Sequence, residues 1–318
     1  DMRYTDEKIT ATRNFANKLC NAARYVLMNL PESFEPGMPD ESNLDMSDKW
    51  VLSELGSVAR EVTANLDKYE LGLAADKVEK FIWEIYCDWY IEICKSRLNS
   101  GDEAQADIAR KVLVYVLDRA LRLLHPFMPF ITEEIYQALP GSAETIMTQE
   151  WPDAAKLPTW PEESAHFEQL MDYIKAVRAT RSDMNVPPSK KTSMVIETAA
   201  PAAFEKGSVY LARFAFATDV TLTQKYEGET AGMVTVVTPS ARGFIPMMEL
   251  IDRDKELARL QKELTKNEKE IAMFQKQLEN PRFVEKAPAA LVAETRSKLI
   301  AAQDKRKNLE QSLAALQN

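Results

Sequence analysis

A chain of 318 residues exceeds what one hydrophobic core usually organises, so two or three domains are expected. An apolar share of 45% and a charged share of 28% are those of a globular protein and exclude wholesale disorder. The net charge of −9 excludes a uniformly basic nucleic-acid binder, though a basic footprint confined to one segment fits inside an acidic total.

Nine glycines leave little material for tight turns or phosphate-cradling loops, which tilts the chain towards helices. No apolar run reaches the length of about 18 residues that a membrane span needs. The opening Asp1-Met2-Arg3-Tyr4-Thr5 has no signal character and reads as the interior of a longer protein. Cys20, Cys87 and Cys94 are scattered on helical patterns without a CxxC pair. They are read as core thiols in a reducing, cytoplasmic compartment, with no disulfide and no zinc.

Residues 1 to about 139 read as helix. Ile9, Phe15, Ala16, Leu19, Ala22, Ala23, Val26 and Leu27 recur at threes and fours from Asp6 to Leu30, one buried stripe ending before Pro31. A second helix is predicted from an N-cap near Ser47 to Leu66. Phe81 to Ile91 is apolar on most sides, so a central helix with Trp83 and Trp89 in the core is expected. Further helices are predicted from Glu103 to Leu124, stopped at His125-Pro126, and from Pro129 to Pro140. His125 and His166 have no partner at a catalytic spacing and are assigned structural roles.

From about 161 to 248 the pattern changes. A helix from Pro161 to Arg181 precedes Val186-Pro187-Pro188, and β-prone runs follow at Thr192–Thr198, Val220–Thr223, Met233–Thr238 and Gly243–Met247. One helix, Ala202 to Phe216, is predicted between the first two strands.

The end of the chain is heptad-patterned. Leu250, Leu257, Leu264, Ile271 and Leu278 repeat every seven, and after a Pro-containing break Val292, Leu299, Arg306 and Leu313 do the same. Folding at Glu285 sets Leu278 against Val292 and Ile271 against Leu299, an antiparallel coiled-coil hairpin. Asn267 then faces Ala302 and Arg306 faces Leu264, two polar seam positions able to set register. From Leu250 onward fourteen cations face eleven anions, a balance of +3, and the remainder carries −12.

Several motifs now fit a known family. Arg13 to Val26, Asp48-Lys49-Trp50-Val51-Leu52-Ser53, Cys87-Asp88-Trp89-Tyr90-Ile91-Glu92, Leu123 to Glu134 and Trp151-Pro152 resemble, in order and spacing, the anticodon-binding domain of class I aminoacyl-tRNA synthetases for valine, isoleucine and leucine. Ile251-Asp252, Glu256 to Leu260, Glu263-Leu264 and Asn280 to Pro288 resemble the coiled-coil arm of valyl-tRNA synthetases. The resemblance implies a mainly α protein. Its parts are a helical-bundle anticodon-binding domain over 1–150, a small α+β junction domain over 151–248, and an antiparallel coiled-coil tRNA-binding arm over 249–318. It also implies tRNA for valine as partner, without DNA or membrane, and a monomeric chain. Neither the HIGH-type nor the KMSKS motif occurs in this sequence, nor anything resembling the editing domain. The activation of valine, with its ATP and magnesium, is therefore assigned to a catalytic part outside it, and no cofactor is expected here.

An anticodon reader needs stacking rings, hydrogen-bonding amides and a few cations. Asn14, Lys18, Asn21 and Tyr25 share one face of the first helix, flanked by Arg13, Asn17 and Arg24. The resemblance places anticodon contacts at Arg13, Asn14, Asn17, Lys18, Asn21 and Tyr25, with Ile91 and Lys95 facing them from the Trp89-Tyr90-Ile91 stretch. Lys175, Arg178, Arg181, Lys190 and Lys191 form a candidate phosphate track, and Arg259, Lys262, Lys266, Arg282, Lys298 and Lys305 the arm's contribution. Two competing readings are a coiled-coil adaptor that binds proteins through an exposed seam, and the equivalent region of another class I synthetase such as the isoleucyl enzyme.

Overall fold

The computed structural model describes residues 5–250, 253–279 and 289–317, and divides into two compact units. The first comprises residues 1–175 and 199–211, the second 176–198 and 212–318. The segment expected to form a junction over 151–248 thus contributes to both.

The first unit is helical: α1 (Asp6–Met28), α2 (Met46–Asp67), α3 (Leu71–Lys80), α4 (Ile91–Leu98), α5 (Glu103–Leu124) and α6 (Pro129–Gln137), then the first part of α7 (Pro161–Asp183). The N-cap of α2 is Asp45 rather than the expected Ser47. Its Oδ1 accepts from the backbone N–H of Ser47 (2.8 Å) and Asp48 (2.9 Å), while Asp48 Oδ2 accepts from Asp45 N–H at 3.1 Å, a reciprocal capping box. Thr5 and Asp102 cap α1 and α5 one way only, their side chains accepting from the backbone N–H of Lys8 and of Gln105. Trp50, Leu52, Leu55, Leu19, Tyr86 and Leu117 are 0–1% exposed. Each contributes about 1.5–3 kcal/mol through removal from water. Trp50 packs on Phe167 of α7, with ring centroids 4.8 Å apart. The segment after α6 is pinned to α2: Trp151 Nε1 donates to Thr63 Oγ1 (2.9 Å) and the Trp160 backbone N–H to Ser53 Oγ (2.8 Å).

Between α3 and α4 the chain stays helical but widens. Phe81–Tyr90 winds with i→i+5 hydrogen bonds. Its buried residues are accordingly spaced by five, Phe81 with Tyr86 and Ile82 with Cys87, before returning to a spacing of four at Tyr90 and Ile91. The altered phase turns Trp83 and Trp89 away from the centre, so both are half-buried rather than in the expected core, whereas Tyr90 is fully buried. Cys87 and Cys94 are buried thiols and Cys20 is half-buried. Burial pushes the Cys87 thiol up to about 12.

The single helix expected between the first two strands is two, α8 (Pro201–Lys206) and α9 (Ser208–Phe214), broken at Gly207. A Cβ there would stand 2.4 Å from Leu170 Cδ2 and 2.8 Å from the Ala203 carbonyl, so only glycine lets this turn lie against α7. Tyr173 meets Phe204 edge-on at 5.6 Å and Phe167 meets Tyr210 at 5.2 Å.

The second unit holds a four-stranded sheet of order β2-β1-β4-β3, with β1 (Thr192–Thr198), β2 (Ala217–Thr223), β3 (Met233–Val237) and β4 (Ala241–Pro246). β1 runs parallel to β2 and antiparallel to β4, which pairs antiparallel with β3. Strict alternation along β1 buries Met194 and Ile196. α10 (Met247–Leu250) leads from β4 towards α11 (Arg253–Glu279), which packs along α12 (Ala289–Gln317) as the expected helical pair. Ile271, Val292, Thr295, Ala302 and Asn267 are buried in the seam. Arg306 is not: it is exposed, its Nε 3.5 Å from Glu310 Oε1 on its own helix, because a guanidinium reaches water more cheaply than it occupies an apolar seam. Among the described residues no helix is long and apolar enough to cross a membrane.

Candidate nucleic-acid interface

α1 presents the expected polar face: Arg13, Asn14, Asn17, Asn21 and Arg24 are exposed, and Lys18 and Tyr25 are half-buried. Their apolar neighbours Phe15, Leu19, Ala22 and Val26 are buried on the opposite side, which fixes the rotation of the helix and hence of the polar stripe. Opposite Lys18 and Tyr25 stand the π-wound segment and α4. Lys18 Nζ lies 2.5 Å from Asp88 Oδ1 and 3.8 Å from the centroid of the Trp83 ring, which itself stacks near Phe15 at 6.5 Å. One turn on, Lys95 Nζ lies 2.5 Å from Glu92 Oε1 and 5.5 Å from the Tyr25 ring centroid. The arrangement therefore pairs two aromatic rings with two lysines, Lys18 held by a carboxylate of the facing segment and Lys95 by one of its own helix.

Ile91 does not join this face. It is 5% exposed and belongs to the core, as does Tyr90, because the wide winding carries them inward with Cys94. Trp83, Asp88 and Glu92 are the residues that the sequence reading missed. The signal for them was the five-residue spacing of Phe81/Tyr86 and Ile82/Cys87, which a period of 3.6 does not register.

Beneath the site a buried polar network holds α4 to the start of α2. Arg97 Nη1 donates to Asp48 Oδ1 (2.7 Å) and Asp45 Oδ2 (3.1 Å), and Tyr90 Oη donates to Asp48 Oδ1 at 2.5 Å. Tyr210 Oη donates to Asp45 Oδ2 at 3.3 Å. Desolvation, then the charge of Asp45, pushes the Asp48 carboxyl up to about 6 against the pull of Arg97.

The cations of the proposed phosphate track behave differently from one another. In the first unit Lys175 is exposed, 3.6 Å from Asp172 and 5.9 Å from the Trp89 ring centroid. In the second, Arg178 and Lys191 are exposed and Lys190 is half-buried. Arg181 is 2% exposed. Its Nη2 donates to the carbonyls of Pro187 and Lys190 and its guanidinium lies 5.0 Å from the Phe216 ring. It therefore organises the Pro187-Pro188 turn instead of facing solvent: it gives the Lys190 carbonyl a donor and adds a second to the Pro187 carbonyl, which also accepts from the Lys190 N–H. On the arm, Lys262, Lys266, Lys298 and Lys305 are exposed, with Lys298 Nζ 2.7 Å from Glu294 Oε1. Arg259 is described in its backbone alone, and Arg282 lies outside the described residues.

Comparison with known proteins bears on both units. Residues 48–196 match the anticodon-binding domain of tRNA ligase, and residues 252–317 match the valyl tRNA synthetase tRNA binding arm. A helical bundle with a polar, aromatic-bearing face and that first match define the class, an anticodon-binding domain of the tRNA-ligase type. Valine–tRNA ligase of Clostridium acetobutylicum is 43% identical over 301 residues, covering 94% of this chain and 34% of the relative. That of Bacillus cereus is 42% identical over 320 residues, covering 100% and 36%, and that of Staphylococcus carnosus 41% over 302 residues, covering 94% and 34%. Bundle and arm occur here in one chain and match those ligases together, so the chain belongs to the valyl-tRNA synthetase family. It spans about a third of the length of the curated relatives it matches.

Proposed function

We propose that this chain is the tRNA-binding portion of a valine–tRNA ligase. The α1 face with Lys18, Asn21, Tyr25 and Lys95 takes the anticodon loop, and the exposed lysines of the arm contact the outer corner of the tRNA. The observation that carries this reading is the convergence of half-buried rings and lysines opposite the exposed amides of α1. Rings stack unpaired bases, amides bond their edges and lysines meet the flanking phosphates. Lys175, Arg178, Lys190 and Lys191 supply further phosphate contacts, each within its own unit. The ligation of valine, with its ATP and magnesium, belongs to the two thirds of the relatives that this chain does not match, and the complete protein acts in the cytoplasm. The paired seam of α11 and α12 favours a monomer over the adaptor reading, which requires that seam to be open.

The test is binding of valine tRNA and of an anticodon-swapped copy to this chain and to its Lys18→Ala and Tyr25→Ala variants, at two salt concentrations. Stronger binding of valine tRNA, with the preference lost in both variants, is expected. Equal binding of both tRNAs withdraws the anticodon assignment.

A further inference from the structure

The geometry points to Trp83 as a nucleobase platform that Asp88 keeps closed until RNA arrives. This inference rests on the tRNA-binding reading above and deepens it. Trp83 is half-buried at the edge of the bundle, and Lys18 Nζ sits 3.8 Å from its ring centroid, within the space that a stacked base would need. The ammonium is held there by Asp88 Oδ1 at 2.5 Å, while the lysine side chain retains only 24% exposure. The same construction recurs one turn along the helix, where Glu92 at 2.5 Å holds Lys95 over Tyr25. A looser copy stands at Asp172, Lys175 and Trp89. In three instances, then, a lysine covers an aromatic surface and a carboxylate neutralises it, while Arg13 and Arg24 of α1 stay exposed.

Binding is therefore an exchange. Lys18 leaves Asp88 for an RNA phosphate, the ring is uncovered, and an unstacked base takes the vacated face. Each half alone is unfavourable. A phosphate without a base strips Lys18 from both its carboxylate and its ring, and a base without a phosphate strands the lysine. The latch thus requires a splayed base and a phosphate in register, the arrangement of a matching anticodon loop, and it penalises duplex or mismatched RNA that offers phosphates only. Asp88 and Glu92 are specificity-determining residues in this scheme, although both carry the wrong charge to bind RNA.

The experiment compares the 318-residue chain with its Asp88→Asn, Trp83→Leu and Trp83→Phe variants. Binding is measured to the valine-tRNA anticodon stem-loop and an anticodon-swapped stem-loop across a salt series. Asp88→Asn is expected to bind both RNAs about twofold to fivefold more tightly and to gain more for the swapped loop, so that discrimination narrows. Its salt dependence steepens, by about 0.7 in the slope of log K against log salt for each lysine freed to release counterions. Trp83→Leu weakens binding of the valine loop, and Trp83→Phe restores part of it. If the parent chain discriminates between the loops while Asp88→Asn changes neither affinity nor slope, the latch is wrong and the functional reading stands. If the parent chain binds neither loop, both fall together.

Discussion

The Tyr90 hydroxyl donates a 2.5 Å hydrogen bond to Asp48, two fully buried groups 42 residues apart that tie the π-wound helix to the first turn of α2. Asp48 also takes Nη1 of the Arg97 guanidinium at 2.7 Å, while Nε and Nη2 have no acceptor among the described residues. The capping box and the junction of the π-wound segment and α4 with α2 meet at this carboxylate. Replacing Asp48 with Ala removes the closer of the two carboxylates that Arg97 contacts and leaves Asp45 Oδ2, at 3.1 Å, as the remaining one. A loss of about 3 kcal/mol is expected. Tyr90→Phe removes one bond and costs about 1–2 kcal/mol. Chemical denaturation measures both, and equal losses from the two variants would show that the carboxylate is not the hub.

Stability should fall as pH rises through the range below neutrality. Burial first, and the neighbouring Glu168 second, push the Glu54 carboxyl up from 4.5 to about 7. Between those values the folded chain keeps a proton that the unfolded chain has lost, so ionisation draws the protein towards the unfolded state. Asp48 acts in the same direction from 3.8 to about 6. Glu54→Gln is therefore expected to be more stable than the parent above pH 7, by about 1 kcal/mol after allowance for solvent access, and no more stable near pH 4. Melting temperatures across pH decide this; a constant offset at every pH contradicts it.

Arg181 is expected to matter for folding and not for RNA. Arg181→Ala strands the carbonyl of Lys190 and takes one of two donors from that of Pro187, and should destabilise the second unit by about 1–3 kcal/mol. The slope of RNA affinity against salt should be unchanged. A shallower slope in a folded variant would return Arg181 to the phosphate track.

Gly207→Ala introduces a methyl 2.4 Å from Leu170 Cδ2 and 2.8 Å from a backbone carbonyl. The side chain can yield but the carbonyl cannot without disturbing α8, so a loss of about 1–3 kcal/mol is expected in calorimetry. A neutral substitution would mean that the α8–α9 turn is free to shift off α7.

Asn267 is 2% exposed in the arm, and among the described residues neither its amide nitrogen nor its oxygen has a partner. Asn267→Leu should raise the stability of the helical pair by about 1–2 kcal/mol, seen as later loss of helix on heating. The accompanying cost is register, since an all-apolar seam accepts shifted pairings that a buried amide disfavours. A destabilised variant would show that the amide is satisfied in solution.

Most of the architecture could be read from local pattern. The helix Glu103–Leu124 and the strand Thr192–Thr198 lie where they are expected, because capping, proline stops and alternation are written in neighbouring positions. The heptads likewise announced a paired helical arm, and the polar stripe of α1 emerged where expected, since one apolar face settles the direction of the other. Phe81–Tyr90 resisted such reading. An unbroken apolar run carries no phase of its own, so only packing against α1, α2 and α5 selects the wide winding and decides which rings turn outward.

Charge separates the two levels most clearly. The sequence alone established the helical bundle, the mixed segment, the hairpin and the cations available to each. It could not tell Lys18, held over Trp83 by Asp88, from Arg181, buried beneath two prolines, or either from the exposed Lys191. A cation's role depends on the acceptor and the solvent around its last few atoms. Those are set by residues 65 and 70 positions away for Lys18, by a turn six to nine residues on for Arg181, and by no local rule.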